Sequence, residues 1–256
     1  MHGTTVLVIG PPSDASLRLL AEVGEDVRFV VGERLEDFGG DVQRADAIFF
    51  SGSNPKELEA VLAAAPQIRW VHTRWAGLDG LLLPGIAAHR APLTNARGVY
   101  SGALGEFVLA AILYFAKGFA RMVENQRAER WEPFDVEEVR GKTIGIVGYG
   151  DIGAAIAERA RGCRLRVLAL RRSASPPADP RVDEWIPRDH LRDLMSRSDY
   201  VAVALPATAG TRRMIDAAAI DAMKPSAVFV NVGRGATVDE GALVRALEER
   251  RIRGAA

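Results

Sequence analysis

A glycine-rich turn between a strand and a helix limits what this chain can fold into. The pattern G-x-G-x-x-G occupies Gly148, Gly150 and Gly153, directly after the apolar run Thr143–Val147. A helix-forming segment at 154–161 follows the pattern, and another strand pattern comes next. This order of strand, turn and helix is typical of a Rossmann unit, which binds the pyrophosphate of a dinucleotide.

Each glycine of the turn has its own physical role. Gly148 permits the tight turn, Gly150 lets the backbone approach the pyrophosphate, and Gly153 lets the helix and the strand pack closely. The amides at the start of the helix, together with its dipole, stabilise the phosphates. A tight β–α turn that binds nothing is the alternative interpretation.

The end of the next strand indicates which dinucleotide binds. NAD sites usually carry an Asp or Glu about 20 residues beyond the glycines, where it bonds the ribose 2′-hydroxyl. This chain has Arg171 and Arg172 there, and no acid. Two guanidinium groups suit a 2′-phosphate, so the sequence favours NADP and leaves NAD open. The alternative is a pair of solvated arginines at a strand end.

Strand and helix patterns alternate along almost the whole chain, which predicts a parallel α/β architecture with two doubly wound domains. We assign residues 1–98 to the first domain and residues 99–256 to the second, a Rossmann domain. The long helix predicted over 101–119 has Ser101 as its expected N-cap. The strands are predicted at 5–9, 27–31, 47–50, 68–73, 92–94, 143–147, 166–170, 200–204 and 227–231, and further helices at 13–23, 55–64 and 154–161.

Charge and cysteine content exclude several functional classes. The formal net charge is +0, so neither a nucleic acid nor a membrane is expected as a partner. A single cysteine, Cys163, excludes a disulfide framework and a cysteine-based metal site, and no metal is predicted. No apolar stretch reaches the roughly 18 residues needed to span a bilayer. Because the N-terminal residues lack a signal-peptide pattern, we expect a cytoplasmic protein.

The charged segment 122–140 carries two aromatic residues, Trp131 and Phe134. It is predicted to be an exposed arm with apolar anchors. Contact with a second copy in a homodimer is one explanation for these aromatics. Packing against the parent domain is the other.

Several further segments carry a resemblance to a known family. They are WVHTRWAGLD at 70–79, LTNARGVYS at 93–101 followed by GEF at 105–107, LPATAGT at 205–211, and MKP at 223–225 leading to NVGRG at 231–235. Together with the glycine turn, these segments resemble the D-isomer-specific 2-hydroxyacid dehydrogenases. That family includes glyoxylate/hydroxypyruvate reductases, phosphoglycerate dehydrogenase and D-lactate dehydrogenase.

The resemblance implies an oxidoreductase that transfers hydride between NADP(H) and a small 2-hydroxy or 2-oxo acid. It also implies that residues 1–98 form a flavodoxin-like substrate domain and that the Rossmann domain at 99–256 lacks its last strands. It assigns the catalytic role to Arg234, because the family's arginine after Asn-Val-Gly binds the carboxylate and carbonyl oxygens of the substrate. A guanidinium suits that task, since it meets a carboxylate in a fork and polarises the adjacent carbonyl. An arginine that only caps a loop is the alternative. Other implied substrate contacts are Tyr100 and the backbone amides of Ala76 and Gly77, and the implied cofactor contacts are Asp151, Ile152, Leu205, Pro206, Thr211, Val232, Gly233 and Arg234.

The family mechanism also uses a histidine as proton donor and a glutamate that orients it. Both family positions lie downstream of Arg234, beyond Ala256. We therefore expect a fragment that binds cofactor but turns over poorly, with an open edge on the strand at 227–231. A partner that covers this edge and a rearranged domain are the alternatives. None of the histidines present is a convincing substitute: His2, His72, His89 and His190. A catalytically silent nucleotide-binding protein, acting as a sensor or an assembly subunit, is the alternative function.

Overall fold

The computed structural model describes residues 3–171 and 178–256. Their contacts divide the chain into two compact units, Met1–Val99 and Tyr100–Ala256. Each unit contains one β-sheet in which every paired strand runs parallel to its neighbour. The predicted class, two parallel α/β domains, is confirmed.

The sheet of unit 1 has five strands in the order β2-β1-β3-β4-β5. This is the flavodoxin-like order that the sequence predicted. The strands are β1 (Thr4–Ile9), β2 (Val27–Gly32), β3 (Ala47–Phe50), β4 (Trp70–Thr73) and β5 (Leu93–Asn95). The helices are α1 (Pro55–Ala64) and α2 (Pro84–Ala88), and two further segments are 3-10 helices, Ala15–Glu22 and Leu35–Arg44.

The helix predicted over 13–23 is instead the 3-10 segment Ala15–Glu22, which contains no buried residue. Asp14 caps it by accepting a hydrogen bond from the backbone N–H of Ser16. Most helical stability in proteins comes from packing of an apolar face, and this segment buries no such face. By contrast, α1 begins at Pro55 as predicted and buries Leu58, Val61 and Leu62 against the sheet.

Unit 2 contains a six-stranded sheet in the order β11-β10-β9-β6-β7-β8. Its strands are β6 (Thr143–Val147), β7 (Arg166–Arg171), β8 (Glu184–Pro187), β9 (Tyr200–Val203), β10 (Val228–Asn231) and β11 (Gly254–Ala255). Its helices are α3 (Ser101–Lys117), α4 (Phe119–Arg127), α5 (Asp151–Gly162), α6 (Leu191–Arg197), α7 (Ala217–Asp221) and α8 (Glu240–Glu248), with 3-10 segments at Arg188–His190 and Gly235–Thr237.

Side chains alternate between the two faces of this sheet, and both faces are covered. One face presents Ile144, Ile146 and Val167 to α3 and α5. The other presents Leu168 and Leu170, which pack with residues of α6, α7 and α8. Burial on both faces explains why the strands read as continuous apolar runs.

Two expectations about unit 2 are wrong. Ser101 is the first residue of α3 rather than its N-cap, because Tyr100 holds the cap position with no side-chain capping bond. Nor is β10 an open edge strand. Val228 pairs with Gly254, and the backbone N–H of Asn231 donates to the carbonyl of Ala256 at 2.9 Å. The chain therefore covers this strand with its own last residues.

Helices α3 and α4 meet at Gly118, which has a left-handed backbone (φ +63°), and they are bent by 63°. Within residues 3–171 and 178–256 no single helix is long and apolar enough to cross a membrane. The bent pair passes that test only by length and composition when both helices are taken together.

Glu137 joins the segment after α4 to the sheet. Its carboxylate pairs with Lys142 at 2.7 Å and with Arg253 at 2.8 Å, and the buried Tyr200 hydroxyl donates to it at 3.4 Å. Burial raises the pKa of Glu137, but the hydrogen bonds from Lys142 and Arg253 outweigh burial and hold the pKa below its usual value.

We expect Glu137→Gln to lower the free energy of unfolding by about 1 kcal/mol at pH 7, because two charged partners lose their carboxylate. A lowered folded-state pKa means that the carboxylate stabilises the fold above its unfolded pKa and ceases to do so as pH falls through the folded value. The difference from wild type should therefore shrink below about pH 4. Urea unfolding across pH measures it, with Glu138→Gln as the control, since the Glu138 side chain is 71% exposed. An equal loss in both variants would contradict the assignment.

Candidate functional site

The candidate site of unit 2 lies at the carboxyl ends of its parallel strands. The chain runs from β6 outward through β7 to β8, then returns to place β9, β10 and β11 on the other side of β6. The reversal makes the gap beside β6 a topological switch point, where open α/β sheets bind ligands. Three loops meet there, after β6, β9 and β10.

The turn after β6 has the geometry that its glycines predicted. Gly148 has φ +100°, and a Cβ there would lie 2.9 Å from the carbonyl oxygen of Ala204. A Cβ on Gly153 would lie 2.5 Å from the carbonyl oxygen of Gly148, so a side chain at this position would force the turn and the helix apart. A Cβ on Gly150 would meet nothing within 4 Å. Gly148 and Gly153 are thus required by backbone packing, whereas Gly150 borders open space.

Helix α5 starts at the open side of this turn. Its N-cap is Gly150, and none of the described side chains caps it. The first turn of the helix consists of Asp151, Ile152 and Gly153, of which Ile152 is half-buried against the α3–α5 core. Amide groups at a helix start and the helix dipole favour an anion. The open space beside Gly150 therefore fits the pyrophosphate of a dinucleotide.

The loop after β9 contacts the other two loops through Leu205. A Cβ on Gly148 would lie 3.0 Å from Leu205 Cδ2, and one on Gly233 would lie 2.6 Å from the Leu205 carbonyl oxygen. Downstream, the Thr211 hydroxyl donates to the carbonyl of Pro206 at 2.6 Å and accepts from the N–H of Thr208 at 2.9 Å. These bonds fix the loop that leads away from Leu205.

Arg234 follows β10 in a loop held by its own side chains. The Asn231 carboxamide accepts from the N–H of Gly233 at 2.9 Å and donates to the carbonyl of Arg234 at 3.2 Å. The Thr237 hydroxyl donates to the same carbonyl at 2.6 Å. Arg234 is half-buried, and its Nη1 donates to the carbonyl of Gly233 at 3.0 Å. The sequence Asn-Val-Gly-Arg-Gly thus builds a fixed loop that presents a cation at the carboxyl edge of the sheet.

The end of β7 carries the residues predicted to select the cofactor. Arg171 is half-buried, and its guanidinium carbon lies 5.5 Å from the centroid of the Trp185 ring. Arg172 lies outside the residues that the structure describes. Sequence reasoning did not identify Trp185, because β8 is short and its Glu-Trp-Ile-Pro pattern gives no clear strand signal.

A polar group beside the glycine turn was also missed from the sequence. The Tyr149 hydroxyl donates to Asp179 at 2.8 Å, and Arg181 binds the same carboxylate through its Nε and Nη2. Burial, followed by the bond to Asp179, raises the pKa of Tyr149 to about 12. The Arg181 guanidinium holds the pKa of Asp179 far below its usual value. Asp179 and Arg181 are neighbours in the chain, but no local pattern indicates their contact with Tyr149, which is 30 positions away.

Other predicted substrate contacts lie in separate parts of the chain. Ala76 and Gly77 follow β4 of unit 1, where the Asn95 side chain donates to the carbonyl of Ala76 at 2.7 Å. Ala76 is exposed and Gly77 half-buried. Tyr100 is the N-cap of α3 in unit 2 and is 40% exposed. Their roles toward a substrate stay predictions.

The described histidines have other surroundings. His72 stacks on Phe49 and shares a hydrogen bond of 2.8 Å between its Nδ1 and the hydroxyl of Thr94. His89 accepts from the backbone N–H of Ala91 at 3.1 Å. Both belong to unit 1, and His2 is outside the described residues. His190 is exposed and follows β8, which is four strands from β10 in the order of the sheet.

Comparison with known proteins identifies the family. The family model described as "D-isomer specific 2-hydroxyacid dehydrogenase, NAD binding domain" matches residues 109–256, which include the glycine turn and the Arg234 loop. The chain belongs to the D-isomer-specific 2-hydroxyacid dehydrogenase family.

Similar proteins support the same assignment. The chain is 37% identical over 204 residues to a glyoxylate reductase of Thermococcus kodakarensis, an alignment that covers 76% of this chain and 61% of that protein. It is 35% identical over 244 residues to a glyoxylate reductase of Pyrococcus furiosus, covering 91% of this chain and 70% of that one. The fold is similar to an NADPH-dependent glyoxylate/hydroxypyruvate reductase of Sinorhizobium meliloti, with a TM-score of 0.80, 27% identity, and coverage of 98% and 79% of the two chains. The chain thus spans less than two thirds of the length of the first of these relatives.

Proposed function

We propose that the protein is an NADPH-dependent reductase of a small 2-oxo acid, with glyoxylate and hydroxypyruvate as the first candidates. The observation that carries this proposal is the position of Arg234 at the carboxyl edge of β10, in a loop that contacts Leu205, which in turn contacts Gly148. A cation that can bind a carboxylate is thereby held beside a turn that fits a pyrophosphate. The names of the similar glyoxylate reductases support the choice of substrates.

Several residues would hold the cofactor. The amides at the start of α5, next to Gly150, would bind the pyrophosphate, while Leu205, Val232 and Gly233 would border the nicotinamide half. The remaining contacts proposed from the family resemblance are Asp151, Ile152, Pro206 and Thr211. When bound, the reduced nicotinamide supplies the hydride for the reduction.

Arg234 would bind and orient the 2-oxo acid. Its guanidinium donates to the carboxylate and to the adjacent carbonyl oxygen, on which negative charge develops during reduction. The carbonyl of Arg234 is held by Asn231 and Thr237, so the base of the side chain is fixed before the substrate binds, which limits the entropic cost of binding. We propose Tyr100 and the amides of Ala76 and Gly77 as further substrate contacts.

NADP, rather than NAD, is supported by the charges at the end of β7. Arg171 lies there, and a guanidinium suits a 2′-phosphate. The acid beside this region, Asp179, already binds Arg181 and Tyr149. Its acceptor positions are therefore taken by these donors and are not available to a ribose hydroxyl.

We expect the 256-residue chain to bind NADPH tightly but to reduce 2-oxo acids slowly. In the described part of unit 2 the one histidine is His190, far along the sheet from Arg234, and loss of a general acid typically lowers the rate about 10²–10⁴-fold. Calorimetry with NADPH and a steady-state assay with glyoxylate and hydroxypyruvate measure the two properties separately.

The outcomes of that experiment distinguish the candidate functions. Slow but measurable turnover with tight NADPH binding supports the reductase. Tight binding with no turnover on any 2-oxo acid favours the catalytically silent nucleotide-binding protein. That alternative rests on the position of the histidines. Full activity would mean that another residue of the chain donates the proton. Failure to bind either NADPH or NADH would refute both functions.

We further propose that a second copy of the chain covers the surface formed by α4 and the following segment. Trp131 is 95% exposed and lines a groove of about 460 Å³ together with Met122 and Phe134. Phe134 packs under the Arg121 guanidinium, 4.4 Å from ring centroid to carbon, so it anchors the segment to its own unit. Trp131 has no such packing, and a large exposed aromatic of this kind marks interaction surfaces.

Trp131→Glu is expected to convert the dimer to a monomer, because it places a charge in the apolar contact. Sedimentation velocity at micromolar concentration measures the change. Trp70→Glu in unit 1 is the matched control, since Trp70 is 48% exposed and outside the groove. A wild-type monomer, or a dimer in both variants, would contradict the proposal.

A further inference from the structure

Trp185 lies between the phosphate-binding turn and the end of β7. It belongs to the edge strand β8, where it pairs with Ala169 of β7. Its ring meets the Tyr149 ring edge-on, with centroids 4.8 Å apart and an interplanar angle of 80°. The Arg171 guanidinium carbon is 5.5 Å from the centroid of the same Trp185 ring, within the range of a cation–π interaction. One indole thus contacts both parts of the proposed cofactor site.

The turn residue on the other side of this ring is itself fixed. The Tyr149 hydroxyl donates to Asp179 Oδ2 at 2.8 Å. The same carboxylate accepts from the backbone N–H, Nε and Nη2 of Arg181 at 3.0, 2.8 and 2.7 Å. Four donors occupy about all the acceptor sites of a carboxylate. The Tyr149 ring is therefore held in one position against Trp185. The Asp179 carboxylate has no acceptor position left for a ribose hydroxyl.

An aromatic ring that supports the Arg171 side chain would strengthen its binding to a phosphate. An arginine side chain that is mobile before binding loses rotamer freedom when it closes on a phosphate, and this loss weakens binding. An aromatic ring below the guanidinium restricts the side chain in advance. The restriction matters only for a ligand that contacts Arg171.

We propose that Trp185 is the positioning residue for cofactor selection: packed against Tyr149, its ring holds the Arg171 guanidinium ready for the 2′-phosphate of NADP. The inference rests on the NADP dependence proposed above. Trp185 makes no proposed contact with the phosphate, so its whole effect on selectivity passes through Arg171.

The test is a double-mutant cycle on the affinity ratio of NADP⁺ to NAD⁺, measured by isothermal titration calorimetry on the full chain. We expect the wild type to prefer NADP⁺ more than tenfold and Trp185→Leu to lower this ratio about threefold to fivefold, with the NAD⁺ affinity unchanged. In an Arg171→Ala background, Trp185→Leu should leave the ratio unchanged. Trp185→Phe, which keeps a ring, should restore most of the preference, and Trp70→Leu in unit 1 serves as the matched control.

The outcomes separate this inference from the proposed function. A wild-type ratio near one would overturn the NADP dependence, and the role of Trp185 with it. A wild-type preference that survives Trp185→Leu would overturn the inference alone. An equal loss of NADP⁺ and NAD⁺ affinity would show that Trp185 only supports the fold, and a loss of ratio in the Arg171→Ala background would show that it acts independently of Arg171. Both results would refute the positioning role.

Discussion

Replacement of Gly153 by alanine is expected to weaken NADPH binding about tenfold to hundredfold. The added Cβ would lie 2.5 Å from the carbonyl oxygen of Gly148, and neither the backbone of the turn nor the buried helix can yield without moving the other. Overpacking of this kind costs about 1–3 kcal/mol, and here the strain falls on the groups that would bind the pyrophosphate. Calorimetric titration with NADPH measures the loss.

Gly162→Ala is the matched control for this substitution. Gly162 is the last residue of the same helix, and a Cβ there would meet nothing within 4 Å. Because alanine is the better helix former, this variant should keep its NADPH affinity and melt at an equal or higher temperature. If Gly153→Ala bound NADPH as tightly as Gly162→Ala does, the close approach of turn and helix would have no part in cofactor binding.

Replacement of Arg234 by alanine is expected to abolish recognition of the 2-oxo acid while NADPH remains bound. Two charge-assisted hydrogen bonds to a carboxylate and carbonyl are worth about 1.5–3 kcal/mol each, so affinity for the dicarboxylate oxalate, used as a probe on the NADP⁺-loaded chain, should fall at least about hundredfold. NADPH affinity should fall less than about tenfold, since most of the proposed cofactor contacts lie elsewhere. Titrations with oxalate and with NADPH measure the two effects.

Arg234→Lys separates charge from geometry. Lysine keeps the positive charge but cannot form the planar fork, so its oxalate affinity should lie between those of the wild type and Arg234→Ala. Arg245→Ala, an exposed arginine of α8, controls for the loss of net charge. If Arg234→Ala bound oxalate normally, the guanidinium would be only a loop cap.

The sequence predicted those features that depend on local chemistry. The turn at Gly148–Gly153 and α1 from Pro55 were both predicted, because glycine spacing and the position of proline act over a few neighbouring residues. The order of strands in unit 1 also agreed with the expectation. The Arg234 loop was identified by resemblance, whereas the bonds that hold it, from Asn231 and Thr237, became visible only in the structure.

Features that depend on distant residues could not be predicted. Strand β8 is short, begins with a glutamate and ends at a proline, and it forms only because β7 offers it a partner. The cover on β10 comes from two residues at Gly254–Ala255 that have little strand propensity of their own. One of the four donors to the Asp179 carboxylate is the hydroxyl of Tyr149, which lies 30 positions away in the chain. A pattern search within one segment cannot detect such pairings.

We expect the turn at 148–153 to bind a nicotinamide dinucleotide and to prefer NADP. Calorimetric titration of the wild-type chain with NADPH and, separately, with NADH tests it most directly. We expect one NADPH to bind per chain, with a dissociation constant at least about tenfold lower than that of NADH, a difference of about 1.4 kcal/mol. No binding of either dinucleotide at millimolar concentration would contradict the claim as a whole, and tighter binding of NADH would contradict the assignment of Arg171.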